Sequence, residues 1–488
     1  MATSNHLPVS PDPVSEQACK PTLSFAKWTT GGPLDELPPF NPEESRVHNS
    51  IVLNTSDPAY VVCILEDVLL PRYHVPYILI RAANVRVLLG DVSGAQEFFD
   101  EAAIMLGGQD PVFDAWLVTY RQKVTEHHRH QRTFTIFDYE NVQMLAVERD
   151  FSNHRLAFAV TIWHEPRRNI VEAWVPTSRL LAQSSSSGRS PAIDDQALMN
   201  LWSQAMAEAP HVMERYFKSL CVETNIRDGV FKICQSSVSN VVRAGFYSGV
   251  IDRVERDSAV SNPDKILRII KDTHEALQYV YDIARTQQPV MPQVVLKLHE
   301  LLMRRQKVTF RTPHQYIPIG RFRTDGLEMR RMEGYVQFCP PGRVIEEVAV
   351  ITGRIQELLM SCKANPIDAA AWIHVAVMNC SPFASANGRV ARLLASLPLI
   401  VAGLPPMNIP GGPQNEYATA CSRARLEAHY SPLGNVIARG MMETIKSVEK
   451  LSALTEEDYR FQAISGLEFR LSSIETDEHV RDGVIQVE

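Results

Sequence analysis

The sequence predicts a mainly α-helical fold. Three observations carry that reading. Apolar residues recur at helical spacing across Val75–Gly107, with a break at Gly90-Asp91. From Asp194 onward the chain is again helical and apolar-periodic. One stretch departs from that background: residues 314–341 are punctuated by Gly320, Asp325-Gly326 and Pro340-Pro341, and read as a short β-hairpin between helices.

Composition sets the outer limits. The 488 residues carry 49 Lys+Arg and 56 Asp+Glu, a net charge of −7. An apolar fraction of 45% with 22% charged residues is globular, so wholesale disorder is excluded. The acidic balance argues against a nucleic-acid partner, which normally demands a basic face. Cysteines at 19, 63, 221, 234, 339, 362, 380 and 421 form no Cys-x-x-Cys pair and read as free thiols of a reducing compartment. The N-terminus lacks the apolar core of a signal peptide. Glu66, Asp67 and Arg72 interrupt the apolar run Tyr60–Arg81, which therefore cannot cross a bilayer. The expectation is a cytoplasmic or nuclear protein with no membrane partner.

Five segments follow along the chain. Residues 1–45, rich in Pro, Ser and Thr, read as a disordered tail, partly tied down around Phe25–Trp28. Residues 46–131 are helical. There the small residues Ala95 and Ala102 flank the large Phe99, a pattern that lets two helices approach closely. This hairpin resembles a tetratricopeptide repeat. A further helix, Phe113–His128, caps it, and a lone repeat cannot bury its own face, so residues 50–72 and 110–130 must cover it. Residues 132–193 are mixed: HRLAFAVTIW and NIVEAWVPT are strand-like, and 181–191, LAQSSSSGRSP, reads as a linker. Residues 194–455 form the main helical domain, and 456–488 a peripheral tail.

The chemistry concentrates in Ile373–Leu394, IHVAVMNCSPFASANGRVARLL. An apolar helix runs into Cys380-Ser381-Pro382-Phe383, a small-residue loop follows, and a second helix opens at Arg389. Such a loop presents free N–H groups and the positive end of a helix dipole, which suits an anion such as phosphate. Arg389 and Arg392 share one helix face and can both reach it. The same residues also read as an Asn-Gly turn and a solvated helix face.

This segment resembles the motif of the Fic (Fido) family, His-Pro-Phe-x-[Asp/Glu]-Gly-Asn-Gly-Arg-x-x-Arg. Pro382, Phe383, Asn387, Gly388, Arg389 and Arg392 match at the right spacing. LPLIVAGLPPMNIP (397–410), NEYATACSRARLEAHYSPLGNVI (415–437), Gly320–Thr324 and Cys339–Pro341 extend the resemblance over about 210–445. It implies a Fic-type helical core with a short β-hairpin flap, Arg323 and Thr324 lying on the flap that positions a target. It also implies transfer of AMP from ATP to protein hydroxyls, with Asn387, Gly388, Arg389 and Arg392 holding the nucleotide. Thr224-Asn225-Ile226-Arg227-Asp228-Gly229 resembles the family's inhibitory-helix motif, whose acid, here Asp228, would pair with Arg392. As a bare pattern it also reads as a helix C-terminus at Gly229.

Three positions depart from the family. Ser381 stands where the catalytic His belongs, Ser385 where an acidic magnesium ligand belongs, and Ala386 where a Gly belongs. A Ser hydroxyl is no general base near neutral pH, and losing that base costs roughly 10²–10⁴ in rate. Ser385 is a poor ligand for magnesium, so ATP is the expected cofactor and magnesium at most a weakly held one. Cys380 and His374 are poor substitutes: an unperturbed thiol is mostly protonated, and His374 lies two helical turns upstream and reads as a core histidine. His127-His128-Arg129-His130 reads as a solvated helix end. The leading expectation is a catalytically impaired Fic protein that binds nucleotide, holds a protein partner on its helical repeat region and, like much of the family, can homodimerise. An active adenylyltransferase or AMP-removing enzyme with a non-standard base, and a scaffold without nucleotide binding, remain as alternatives.

Overall fold

The computed structural model describes residues 57–125, 170–184, 195–208, 211–309, 314–324, 328–330, 335–361, 364–410 and 414–451, with isolated positions 42, 45 and 46. The expectations for Phe25–Trp28, the His127–His130 cluster, the strand-like 154–163 and the 456–488 tail lie outside the described residues.

The architecture is mainly α. Helix α1, Pro58–Ile64, starts where Asp57 accepts from the Ala59 N–H and continues into a π-helical turn, Leu65–Leu69. α2, Pro76–Leu88, and α3, Val92–Leu106, form the expected hairpin, turned at Gly90 with φ 87°. Asp91 caps α3 through the Gly94 N–H, and left-handed Gly107 closes it. Helix α4 spans 111–125. Ala95, Phe99 and Ala102 are fully buried in one core with Val61, Leu65, Leu69, Phe113, Leu117 and Tyr120, and the Phe99 ring meets those of Phe113, Trp116 and Tyr120. The flanks thus bury the face that one helical hairpin leaves open.

Strand β1, Ile170–Glu172, leads into α5, Thr177–Ser184. The expected 181–191 linker is corrected here: its first residues continue a helix to Ser184, with Leu180 fully buried and Leu181 packed against the core. The main domain comprises α6 Asp195–Glu208, α7 Val212–Arg227, α8 Gln235–Ala244, α9 Pro263–Thr286, α10 Pro292–Met303, α11 Val344–Met360, α12 Pro366–Cys380, α13 Asn387–Val401, α14 Gln414–Glu427 and α15 Ser431–Glu449. Proline at the first turn starts α9, α10, α12 and α15, where its missing N–H costs nothing, and Asn262 and Asn365 cap α9 and α12.

The hairpin expected within 314–341 is smaller than its segment. Strands β2, Glu328–Arg330, and β3, Tyr335–Gln337, pair antiparallel, and β1 adds to β3 in parallel, giving the order β1-β3-β2. Upstream, Val308 and Tyr316 form an isolated antiparallel bridge. One hydrophobic core unites α6 to α15, with α12 and α13 buried along most of their lengths. That burial fixes the loop between them.

Candidate functional site

α12 ends at Cys380, and Ser381 adopts the left-handed conformation at φ 44°. α13 opens at Asn387 after Ala386, also left-handed at φ 62°. Neither position holds a glycine, so both carry backbone strain. The loop is braced from within: the Asn387 side chain accepts from the Phe383 N–H at 2.9 Å and donates to the Phe383 carbonyl at 2.7 Å. Phe383 is fully buried and stacks on His299, centroids 3.8 Å apart and planes 2° apart. His299 Nδ1 accepts from the Gly320 N–H at 3.0 Å. Burial, then the nearby Arg389 charge, pulls the His299 pKa down to about 3, so the ring is neutral.

The N-terminus of α13 faces a cavity of about 690 Å³, within the range of small-molecule sites. Asp228, Gln306, Gly388, Arg389, Arg392 and Tyr417 are among its lining residues. Both arginines are buried, so the solvated-face reading is corrected: the helix packs with this side inward. Arg389 donates to Asn225 Oδ1 at 3.1 Å and Gln306 Oε1 at 3.2 Å. Arg392 donates to Thr224 Oγ1 at 2.7 Å, the Thr224 carbonyl at 3.0 Å and Asp228 Oδ1 at 2.6 Å.

Asp228 follows α7 and reaches both guanidiniums. Its second oxygen lies 3.4 Å from Arg389 Nε. A Cβ on Gly388 would fall 2.8 Å from Asp228 Oδ1, so glycine leaves room for the carboxylate at the start of α13. Asp228 therefore sits where the loop would receive an anion. Burial opposes both arginine charges; the closer Asp228 contact holds Arg392 above its ordinary pKa, whereas Arg389 falls below its own. The Tyr417 hydroxyl and His374 Nε2 are hydrogen-bonded at 2.6 Å, with the Arg392 charge close to both. Burial, then Arg392, depresses His374 to a pKa of about 3. His374 is thus a neutral, fully buried link in a polar chain, as a core histidine should be.

Ser381 is 1% exposed and does not line the cavity. Its hydroxyl donates to the Met378 carbonyl at 2.6 Å. Cys380 is fully buried. Ser385 does line the cavity, but Asp228, already taken by two arginines, is the lone carboxylate among the described lining residues. Among the described residues no group of His, Cys, Asp and Glu could hold a metal ion. The donor set fits an anionic ligand and does not fit magnesium.

The two flap residues separate. Arg323 is buried and donates to the carbonyls of Ser381 at 2.7 Å, of Cys380 and of Cys339, joining the flap exit to the motif loop. Its side chain is a brace rather than a contact for a target. Thr324 is exposed. Sequence reasoning missed Gln306, a partner of Arg389, and Tyr417, which lines the cavity and meets His374. Both sit far from the motif in sequence, and no local pattern marks them.

The Fic/DOC family matches residues 289–399. The protein adenylyltransferase Fic of Drosophila mojavensis is 35% identical over 97 residues, 19% of this chain and 19% of the fly protein, and that of Drosophila grimshawi is 35% identical over the same length. The chain thus aligns with about one fifth of each relative's length. A Fic-1 fragment from C. elegans superposes with a TM-score of 0.38 at 15% identity, covering 84% of this chain and 98% of the fragment. No helix among the described residues is long and apolar enough to cross a membrane. The anion-ready loop, its arginines and the braced flap exit fall within or beside the matched stretch, and together they show that this chain carries a Fic/Fido domain.

Proposed function

We propose that this chain is a nucleotide-binding Fic-domain protein in which AMP transfer to protein hydroxyls is suppressed. The fly relatives' reaction supplies the ligand class, ATP. One observation carries the reading. The cavity keeps the α13 N-terminus and two guanidiniums, while position 381 beside it offers only a hydroxyl committed to the Met378 carbonyl. A phosphate can be held there; no imidazole is present at 381 to take a proton from a target hydroxyl. The exposed Ile104, Met105, Val112 and Val118 make the helical unit the surface for a protein partner in this reading.

The full chain incubated with ATP labelled on the α-phosphate should leave no label on itself or on lysate proteins. In a thermal-shift titration ATP should raise the melting temperature, because a ligand that binds only the folded state stabilises it. Robust labelling that vanishes in Arg392→Ala would reinstate an active transferase. A scaffold with no nucleotide site is the second reading, favoured by Asp228 filling the anion position. A flat ATP titration in both wild type and Asp228→Ala would establish it.

A further inference from the structure

The cavity has a wall that it shares with the N-terminal helical unit. Residues 306–309 and 314–317 lie side by side: the Thr309 N–H donates to the Gln315 carbonyl at 2.9 Å and the Ile317 N–H to the Lys307 carbonyl at 2.7 Å. Gln306, Thr309, Gln315 and Ile317 face the cavity. Lys307, Val308 and Tyr316 instead meet the helical unit. Val308 packs with Val62 and Leu89, and the Tyr316 N–H donates to the Leu89 carbonyl at 3.0 Å.

At the centre of that contact is Glu66, its side chain 5% exposed. It accepts from Arg86 Nε at 2.6 Å within its own unit. From the wall it accepts from Lys307 Nζ at 3.2 Å and the Tyr316 hydroxyl at 3.0 Å. Lys307 also pairs with Asp67, and the Arg86 guanidinium lies 4.5 Å from the Tyr316 ring centroid. Burial raises the cost of the Glu66 charge, yet Arg86 and Lys307 hold its pKa below the usual carboxylate range. A buried carboxylate with three donors from two parts of the chain has little freedom to let either part move. Lys307 is next in sequence to Gln306, the residue that receives Arg389.

We propose that Glu66 is a positioning residue: through Lys307 and Tyr316 the helical unit sets the cavity wall, and with it the Gln306–Arg389 contact. A change at the helical unit is then felt in the nucleotide cavity. The ligand half of this inference rests on the nucleotide-binding reading; the positional half does not.

Hydrogen exchange on the full chain tests it. Glu66→Gln and Lys307→Met should speed exchange across 306–309 and 314–317 by about tenfold or more, the Tyr316 amide most, because its acceptor lies on the helical unit. Exchange in 266–283 of α9 should not change. Tyr316→Phe removes one Glu66 hydrogen bond and keeps the ring, so it should produce a smaller acceleration in a chain whose folding is spared. Wild-type exchange in the wall of Tyr316→Phe and Lys307→Met would overturn the proposal. The ATP dissociation constant of Lys307→Met should rise by about threefold or more. A loosened wall with an unchanged constant would overturn the link to the cavity. If wild type binds no ATP while the wall still loosens, the nucleotide reading fails and the positional one stands.

Discussion

Replacing Asp228 by Ala separates structure from ligand binding most sharply. The carboxylate is 2.6 Å from Arg392 and 3.4 Å from Arg389, and both arginine side chains are 3% exposed. Removing one partner of a buried ion pair costs about 3–5 kcal/mol, because an uncompensated charge remains. The low end applies here. Arg392 keeps the Thr224 hydroxyl and carbonyl, and Arg389 keeps Asn225 and Gln306. A loss of about 3 kcal/mol corresponds to a melting temperature lower by roughly 6–12 °C at 2–4 °C per kcal/mol. The vacated position still has the α13 N-terminus and two cations, so ATP or pyrophosphate should bind the variant more tightly than wild type. At a hundred times its dissociation constant the ligand returns about 2.7 kcal/mol, nearly the whole loss. Differential scanning fluorimetry with and without each anion measures both halves. An Asp228→Ala protein as stable as wild type would refute the ion-pair argument. A destabilised variant that neither anion restores would refute the anion site.

Three further outcomes follow. His299 and His374, fully buried and held near pKa 3, bind no proton in the folded chain until pH approaches 3, whereas their unfolded counterparts do so from about 6.5. Stability is full above pH 6.5 and falls as pH drops towards 3, by roughly 2 kcal/mol per histidine at pH 5, which denaturant melts at pH 7 and 5 would measure. Ala386→Gly relieves about 1–2 kcal/mol of left-handed strain and adds about 0.5–1 kcal/mol of unfolded-state entropy, so it should raise stability by less than about 1.5 kcal/mol in urea titrations. Ser381→His alone should not restore α-phosphate labelling, since Asp228 still holds Arg392 and Ser385 cannot hold magnesium; labelling should appear once Asp228→Gly and Ser385→Asp are added.

Local signals made much of the fold legible. Apolar periodicity marks the helices from Asp194 onward, Gly90 marks a turn, and Ala95, Phe99 and Ala102 mark a buried face. The motif loop was legible for the same reason: its residues are contiguous. What local pattern could not show is pairing across the chain. Lys307 meets Glu66 from 241 residues away, and Arg389 meets Gln306 from 83. β1 adds to β3 in parallel from a distant segment that carries only a short strand-like run. Serines suggested a linker from 181, yet with Leu180 buried and Leu181 packed on the core the helix runs to 184. A spacing of three put Arg389 and Arg392 on one face, but spacing alone does not say whether that face meets water or core.

On sequence, two arginines beside a missing histidine look like a phosphate site that outlived its chemistry. In the structure each arginine also has work in the fold: Arg392 ties α13 to Thr224 and Asp228 of the α7 end, and Arg389 ties it to Asn225 and Gln306. Loss of either would leave buried acceptors without their donor and remove one of the two cations that pair with Asp228, which costs stability whether or not a nucleotide ever binds. Their presence therefore cannot distinguish a nucleotide site from a scaffold. The cavity favours the nucleotide-binding proposal, since a structural ion cluster needs no open volume of about 690 Å³ in front of a helix N-terminus. Arg392→Ala should therefore lose stability in either case. Only in the nucleotide-binding case should wild type gain stability from ATP and the variant gain none.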